Sequence, residues 1–168
     1  MSNLPQKLES MVLDLPGFKT MPPISLDIST LKEAERRLIE AKDVSPVTYG
    51  TLEYCFNESW RMLSQHLAIV GDAILRTEQE LDRSKGLAVL DKYPEFIKDK
   101  PKMDNADTRK AFITMDVDVV AARERLDQLK VLEMFLDSRC KVMERTCAYM
   151  KKRIDLIQRS GLSNTKLY

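Results

Sequence analysis

One apolar line constrains this chain more than any other feature. Val119, Ala122, Leu126, Leu129, Leu132, Leu136, Cys140, Met143, Cys147, Met150, Ile154 and Ile157 follow one another at steps of three and four residues. That period belongs to one face of an α-helix and not to a strand, whose sides alternate every two residues. A second line, Val131, Phe135, Val142, Tyr149 and Leu156, runs beside the first at near-heptad spacing. One line would suit a two-stranded coil, but two make a face wide enough to meet more than one neighbour. The spacing predicts a helix over about residues 117–160, ended by Gly161.

A second long helix is predicted over about residues 46–85. Ser45 suits its N-cap and Pro46 its first helical position. Leu52, Phe56, Trp60, Leu63, Leu67, Val70, Ile74 and Leu81 form its stripe, with Gly71 as the weak point inside and Lys85-Gly86 as the stop. Each helix would be roughly 60 Å long. Two helices of similar length around one connector suggest an antiparallel hairpin.

Shorter elements surround the pair. Thr30 and Glu33 have the spacing of a capping box, and Leu31, Ala34, Leu38 and Ile39 then give one apolar face ending near Asp43. The connector, residues 86–106, is punctuated by Tyr93-Pro94 and Lys100-Pro101. Asp107 is placed to cap a short helix through Met115, and Asp116 or Asp118 the entry to the last one. Residues 1–28 carry Pro5, Pro16, Pro22 and Pro23 among apolar residues, which suits an extended docked arm with one short turn near Leu8–Leu13. The fold expected is all-α: an extended N-terminal arm over 1–28, then a single helical domain over 29–168. Long helices leave apolar surface uncovered in a monomer, so an oligomeric helical bundle is expected.

Composition narrows the class. Of 168 residues, 32% are charged and only 5 are Gly, as long solvated helices require. Cys55, Cys140 and Cys147 are odd in number and show no close-spaced pair, so they read as reduced cysteines. The chain starts without a basic stretch leading into an apolar run, so no signal peptide is expected. No stretch of about 18 apolar residues occurs, so no membrane partner is expected and the location implied is cytoplasmic, the host's cytoplasm if the protein is viral.

Catalytic motifs are missing from the sequence. His66 is the one histidine and lies beside the Leu63–Leu67–Val70 stripe, so it reads as a core residue. Phosphate-binding loops, His-Glu-x-x-His and Cys-x-x-Cys are absent. Asp104, Asp107, Asp116 and Asp118 lack the turn glycine and closing glutamate of a calcium loop, so they read as helix caps. No catalytic residue, metal or cofactor is assigned, and a non-enzymatic role is expected.

Charge distribution points to a partner. Net charge is only +1, yet residues 139–166 hold eight basic residues against Glu144 and Asp155. On a helical wheel Lys141, Arg145, Lys152 and Arg159 fall within about 40° of one another. Tyr149 lies one turn from Arg145, Lys152 and Arg153. Cations tracking a phosphate backbone, with an aromatic ring for base stacking, are what single-strand binding without sequence preference uses. Lys141, Arg145, Tyr149, Lys152, Arg153 and Arg159 are therefore the candidate nucleic-acid-binding residues. The bland alternative is a solvated face whose cations complement a helix C-terminus.

A resemblance adds to this. Arg109-Lys110-Ala111-Phe112 precedes the helix Arg125-Leu126-Asp127-Gln128-Leu129-Lys130-Val131-Leu132-Glu133-Met134-Phe135-Leu136. Then come Arg139, Val142, Arg145, Tyr149, Lys151 and Lys152. This order resembles the C-terminal half of tailed-phage recombination mediator proteins of the UvsY type. It covers about a third of the chain and assigns no individual binding residue. It implies a small helical protein that assembles into rings, binds single-stranded DNA and helps load a strand-exchange recombinase. The alternative is a non-enzymatic viral structural, assembly or adaptor protein acting through helix-mediated self-association. A small protein that inhibits or modifies a host enzyme is a third class.

Overall fold

A computed structural model describes residues 12–164. The protein is mostly helical, with two short strands. Its elements are β1 (Val12–Leu15), β2 (Ile24–Asp27), α1 (Ser29–Lys42), α2 (Pro46–Leu87), α3 (Tyr93–Ile97), α4 (Ala106–Met115) and α5 (Val117–Asn164). They form two compact units. One takes residues 12–67 together with residues 135–164, and the other is Ala68–Met134.

In the first unit α2 and α5 run antiparallel, because their contacts count in opposite directions. Asn57 accepts from the Cys147 thiol (3.6 Å), the Trp60 indole donates to Glu144 (2.8 Å), and Ser64 lies 4.0 Å from Cys140 Sγ. Leu52, Phe56 and Leu63 on α2 and Leu136, Met143 and Met150 on α5 are fully buried. These are the stripes the spacing marks. Trp60 departs from its stripe: it is 40% exposed and keeps its indole at the rim, where Glu144 takes the N–H. A partly covered indole N–H gains from an acceptor, and a carboxylate at the edge of the pair supplies one.

The expected arm is a hairpin where it is described. β1 and β2 pair antiparallel with Asp14 opposite Ser25, whose hydroxyl donates to the carboxylate (2.7 Å). In the connection Phe18 and Met21 exchange backbone hydrogen bonds of 3.1 and 2.8 Å. A Cβ on Gly17 would stand 3.0 Å from the Met21 carbonyl, so a side chain there would crowd the turn and glycine is favoured. Most of the turn expected at Leu8–Leu13 lies outside the described residues, and its last two residues are strand. Leu26 and Ile28 bury the end of the hairpin in the first unit. His66 fastens it there, with Nε2 2.6 Å from the Asp27 carbonyl. That oxygen only accepts, so Nε2 carries the proton. Among the described residues Nδ1 is buried without a hydrogen-bond partner.

The start of α1 corrects the capping box. Thr30 turns its hydroxyl to Met62 Sδ (3.4 Å), while Glu33 pairs with Arg36 and Arg37. The Asp27 carboxylate instead accepts the Ser29 N–H at 2.8 Å. That backbone bond is the main reason its pKa falls below the ordinary carboxylate value. Ser45 caps α2 as expected, accepting from the Thr48 N–H at 3.3 Å.

In the second unit Gly86 does not stop α2. The helix continues to Leu87, passes through a π-helical turn (Ala88–Lys92) and enters α3. Ala88 and Tyr93 are buried there, and apolar anchoring outweighs the propensity cost of one glycine. Tyr93, Phe96 and Phe112 cluster with centroids 5.0–6.2 Å apart. Asn105, not Asp107, caps α4, accepting the Thr108 N–H at 2.9 Å. Asp116 caps α5 through the N–H groups of Asp118 (3.0 Å) and Val119 (3.3 Å). Lys92 reaches both Asp116 (2.8 Å) and Asp118 (2.7 Å), which raises the lysine's pKa. Glu78 on α2 meets Lys130 on α5 at 3.3 Å, so the two helices are antiparallel here also. At its far end α5 runs past Gly161 to Asn164.

Gly71 offers a direct check on α2. A Cβ there meets nothing within 4 Å. Gly71→Ala is expected to stabilise the protein by about 0.5–1 kcal/mol, read as a rise in the thermal midpoint. A lowered midpoint would show that the helix is packed differently at this turn.

Candidate nucleic-acid interface

The candidate residues all lie in the first unit, on the part of α5 that follows Phe135. Leu136, Cys140, Met143, Met150 and Ile154 turn inward on this stretch. The helical period then carries Lys141, Arg145, Lys152 and Arg159 outward, and all four are exposed. Lys141 pairs with Asp137 one turn earlier at 2.5 Å. Such an exposed pair is worth roughly 0–1 kcal/mol, so it holds the lysine only loosely. Among the described residues, Arg145, Lys152 and Arg159 have no ion-pair partner. Lys166 lies outside the described residues.

Arg153 is placed differently. Its guanidinium donates to the carbonyl of Lys42, the last residue of α1, and to the Tyr149 hydroxyl at 3.2 Å. Asp43 lies 3.9 Å from it. A helix leaves its last carbonyls without internal partners, and a cation there satisfies one and meets the negative end of the helix dipole. Arg153 therefore joins the end of α1 to α5 and holds the Tyr149 ring by its hydroxyl. Nearby, Arg139 pairs with Glu35 at 3.2 Å and lies over the Phe135 ring at 5.3 Å.

Tyr149 stays 48% exposed, at the edge of a groove of about 420 Å³ between α1 and α5. Leu38, Ile39, Ala41, Lys42, Arg145, Thr146 and Tyr149 line it. Ile39, expected on the buried face of α1, is 74% exposed here. Sequence reasoning missed Ile39 and Lys42 as site residues, because spacing along one helix says nothing about which neighbour lies beside it. The one available signal was Lys42-Asp43 at the end of α1, where a cation and an anion meet a helix terminus.

The cysteines are poor nucleophiles. Burial pushes the Cys55, Cys140 and Cys147 thiols above their ordinary pKa, so the thiolate is scarce at neutral pH. All three are free. Among the described residues, no group of three or more His, Cys, Asp or Glu side chains is placed to hold a metal ion. No helix among them is long and apolar enough to cross a membrane. Comparison with protein-family models, curated proteins and solved structures gives no match to this chain.

Proposed function

We propose that this protein is an oligomeric, non-enzymatic accessory protein that binds single-stranded DNA through the outer face of α5. The observation that carries the reading is the line of Arg145, Lys152 and Arg159, exposed and without ion-pair partners among the described residues, beside a half-exposed Tyr149. Lys141 extends the line once it leaves Asp137. Arg153 serves as a positioning residue for Tyr149. Cations at this spacing follow a phosphate backbone, and binding to it releases counterions. The resemblance of the last third to UvsY-type mediators supports a place beside a strand-exchange recombinase in phage-type recombination, in the host cytoplasm. Self-association multiplies a weak patch, because several copies on one assembly engage one strand with avidity. Titration of a labelled single-stranded oligonucleotide, with the mass of the assembly recorded in the same buffer, tests the reading.

A second reading, a viral structural or assembly protein acting through self-association, is favoured by a different observation. In the second unit Leu75, Leu90, Met115, Val117, Val131 and Met134 are well exposed, Met134 at 71%. Exposed apolar residues of this size on one small unit offer surface for a second copy to cover. The two readings share the oligomer and differ over DNA.

A further inference from the structure

The groove beside Tyr149 has more apolar wall than a phosphate track needs. Leu38, Ile39 and Ala41 form one side and the Tyr149 ring the other, with Lys42 and Arg145 among the lining residues. No carboxylate lines it among the described residues. An aliphatic partner would gain from the walls and little from the two cations, while a bare phosphate would gain from the cations alone. An aromatic base that carries its own phosphates uses both. The ring is also fixed in advance, since Arg153 bonds its hydroxyl and the Lys42 carbonyl together. A ring already held loses less side-chain freedom when a ligand arrives.

We propose that this groove seats one unpaired nucleobase between Tyr149 and Ile39, with Lys42 and Arg145 on the flanking phosphates. The proposal rests on the nucleic-acid reading above and adds to it a composite site to which α1 contributes. Single strands are then favoured over duplex, because a duplex keeps its bases stacked inside and offers none to the groove. Base-on-aromatic stacking of this kind is tolerant of sequence.

The experiment compares three labelled probes on the full chain: an oligothymidylate, an abasic strand of the same length, and a duplex. Wild-type protein should bind the oligothymidylate roughly tenfold tighter than the abasic strand. Tyr149→Ala and Ile39→Ala should each lower that preference towards one by weakening the oligothymidylate complex, while Tyr149→Phe should retain most of it. Ile39 is largely exposed, so its truncation leaves the fold intact. Equal affinity of the wild type for the oligothymidylate and the abasic strand overturns the base site and leaves phosphate binding standing. No binding of any probe at low salt overturns both. A change in assembly mass on Ile39→Ala, with the base preference retained, assigns the groove to a second copy and overturns the proposal.

Discussion

Reversing charge at Arg145 and Lys152 together is expected to weaken single-stranded DNA binding by roughly 100-fold at low salt. Both side chains are exposed on α5, and neither has an ion-pair partner among the described residues. Replacing them with glutamate breaks no contact of the first unit's core. Helix content by far-UV circular dichroism should therefore match the wild type. Each lost phosphate contact also lowers the dependence of log affinity on log salt by roughly 0.7 on a single strand, so the slope should fall by about 1.4. Reversing Arg139 makes a useful contrast. It sits between Glu35 and the Phe135 ring, so its reversal should disturb the α1–α5 contact in preference to DNA binding. Unchanged affinity in the double variant would remove the outer face of α5 from the interface.

The second large effect concerns Phe56 and Trp60, which the sequence puts on one stripe and the structure separates. Phe56 is fully buried, and Phe56→Ala leaves a cavity that should cost about 3–5 kcal/mol. For a chain of this length that lowers the thermal midpoint by roughly 10 °C. Trp60 is 40% exposed and holds one hydrogen bond to Glu144, so Trp60→Ala should cost about 1 kcal/mol. Thermal unfolding of the two variants side by side measures the difference. Equal costs would mean that α2 is rotated about its axis relative to the arrangement described here.

The long helices were legible because burial imposes a period. Leu129, Leu136, Met143 and Met150 recur every seven residues and Leu52 and Leu63 lie eleven apart, close to whole numbers of helical turns, and all are buried. Ser45 and Asp116 were legible as caps because a short polar side chain before a helix has few other uses. The failures have physical causes as well. Thr30 and Glu33 fit a capping box by spacing, yet the helix already begins at Ser29, so Thr30 lies inside its first turn, and Arg36 and Arg37 compete for the carboxylate. Gly86 and Gly161 read as stops, but one glycine costs a helix only about 1 kcal/mol, and after Gly86 the burial of Ala88 and Tyr93 outweighs it. The β1–β2 hairpin was hidden because its prolines suit any extended segment, and pairing depends on a register that composition does not encode.

For the candidate site, the direction of the cations followed from the wheel alone, since Lys141, Arg145, Lys152 and Arg159 share one side of α5. Arg153 lies near that side in sequence, but the end of α1 draws its guanidinium away. Ile39 and Lys42 entered only when α1 was placed beside α5 within the first unit. Tertiary neighbours decide such assignments, and local periodicity carries no record of them.

The most direct test of the central claim is the affinity of the wild-type protein for a labelled single-stranded oligonucleotide at about 50 mM and about 200 mM salt, with the mass of the assembly measured in both. Binding by a defined oligomer that weakens steeply between the two is the expected result. Absence of binding at the lower salt would contradict it, and self-association through the exposed apolar residues of the second unit would become the leading explanation of what the protein does.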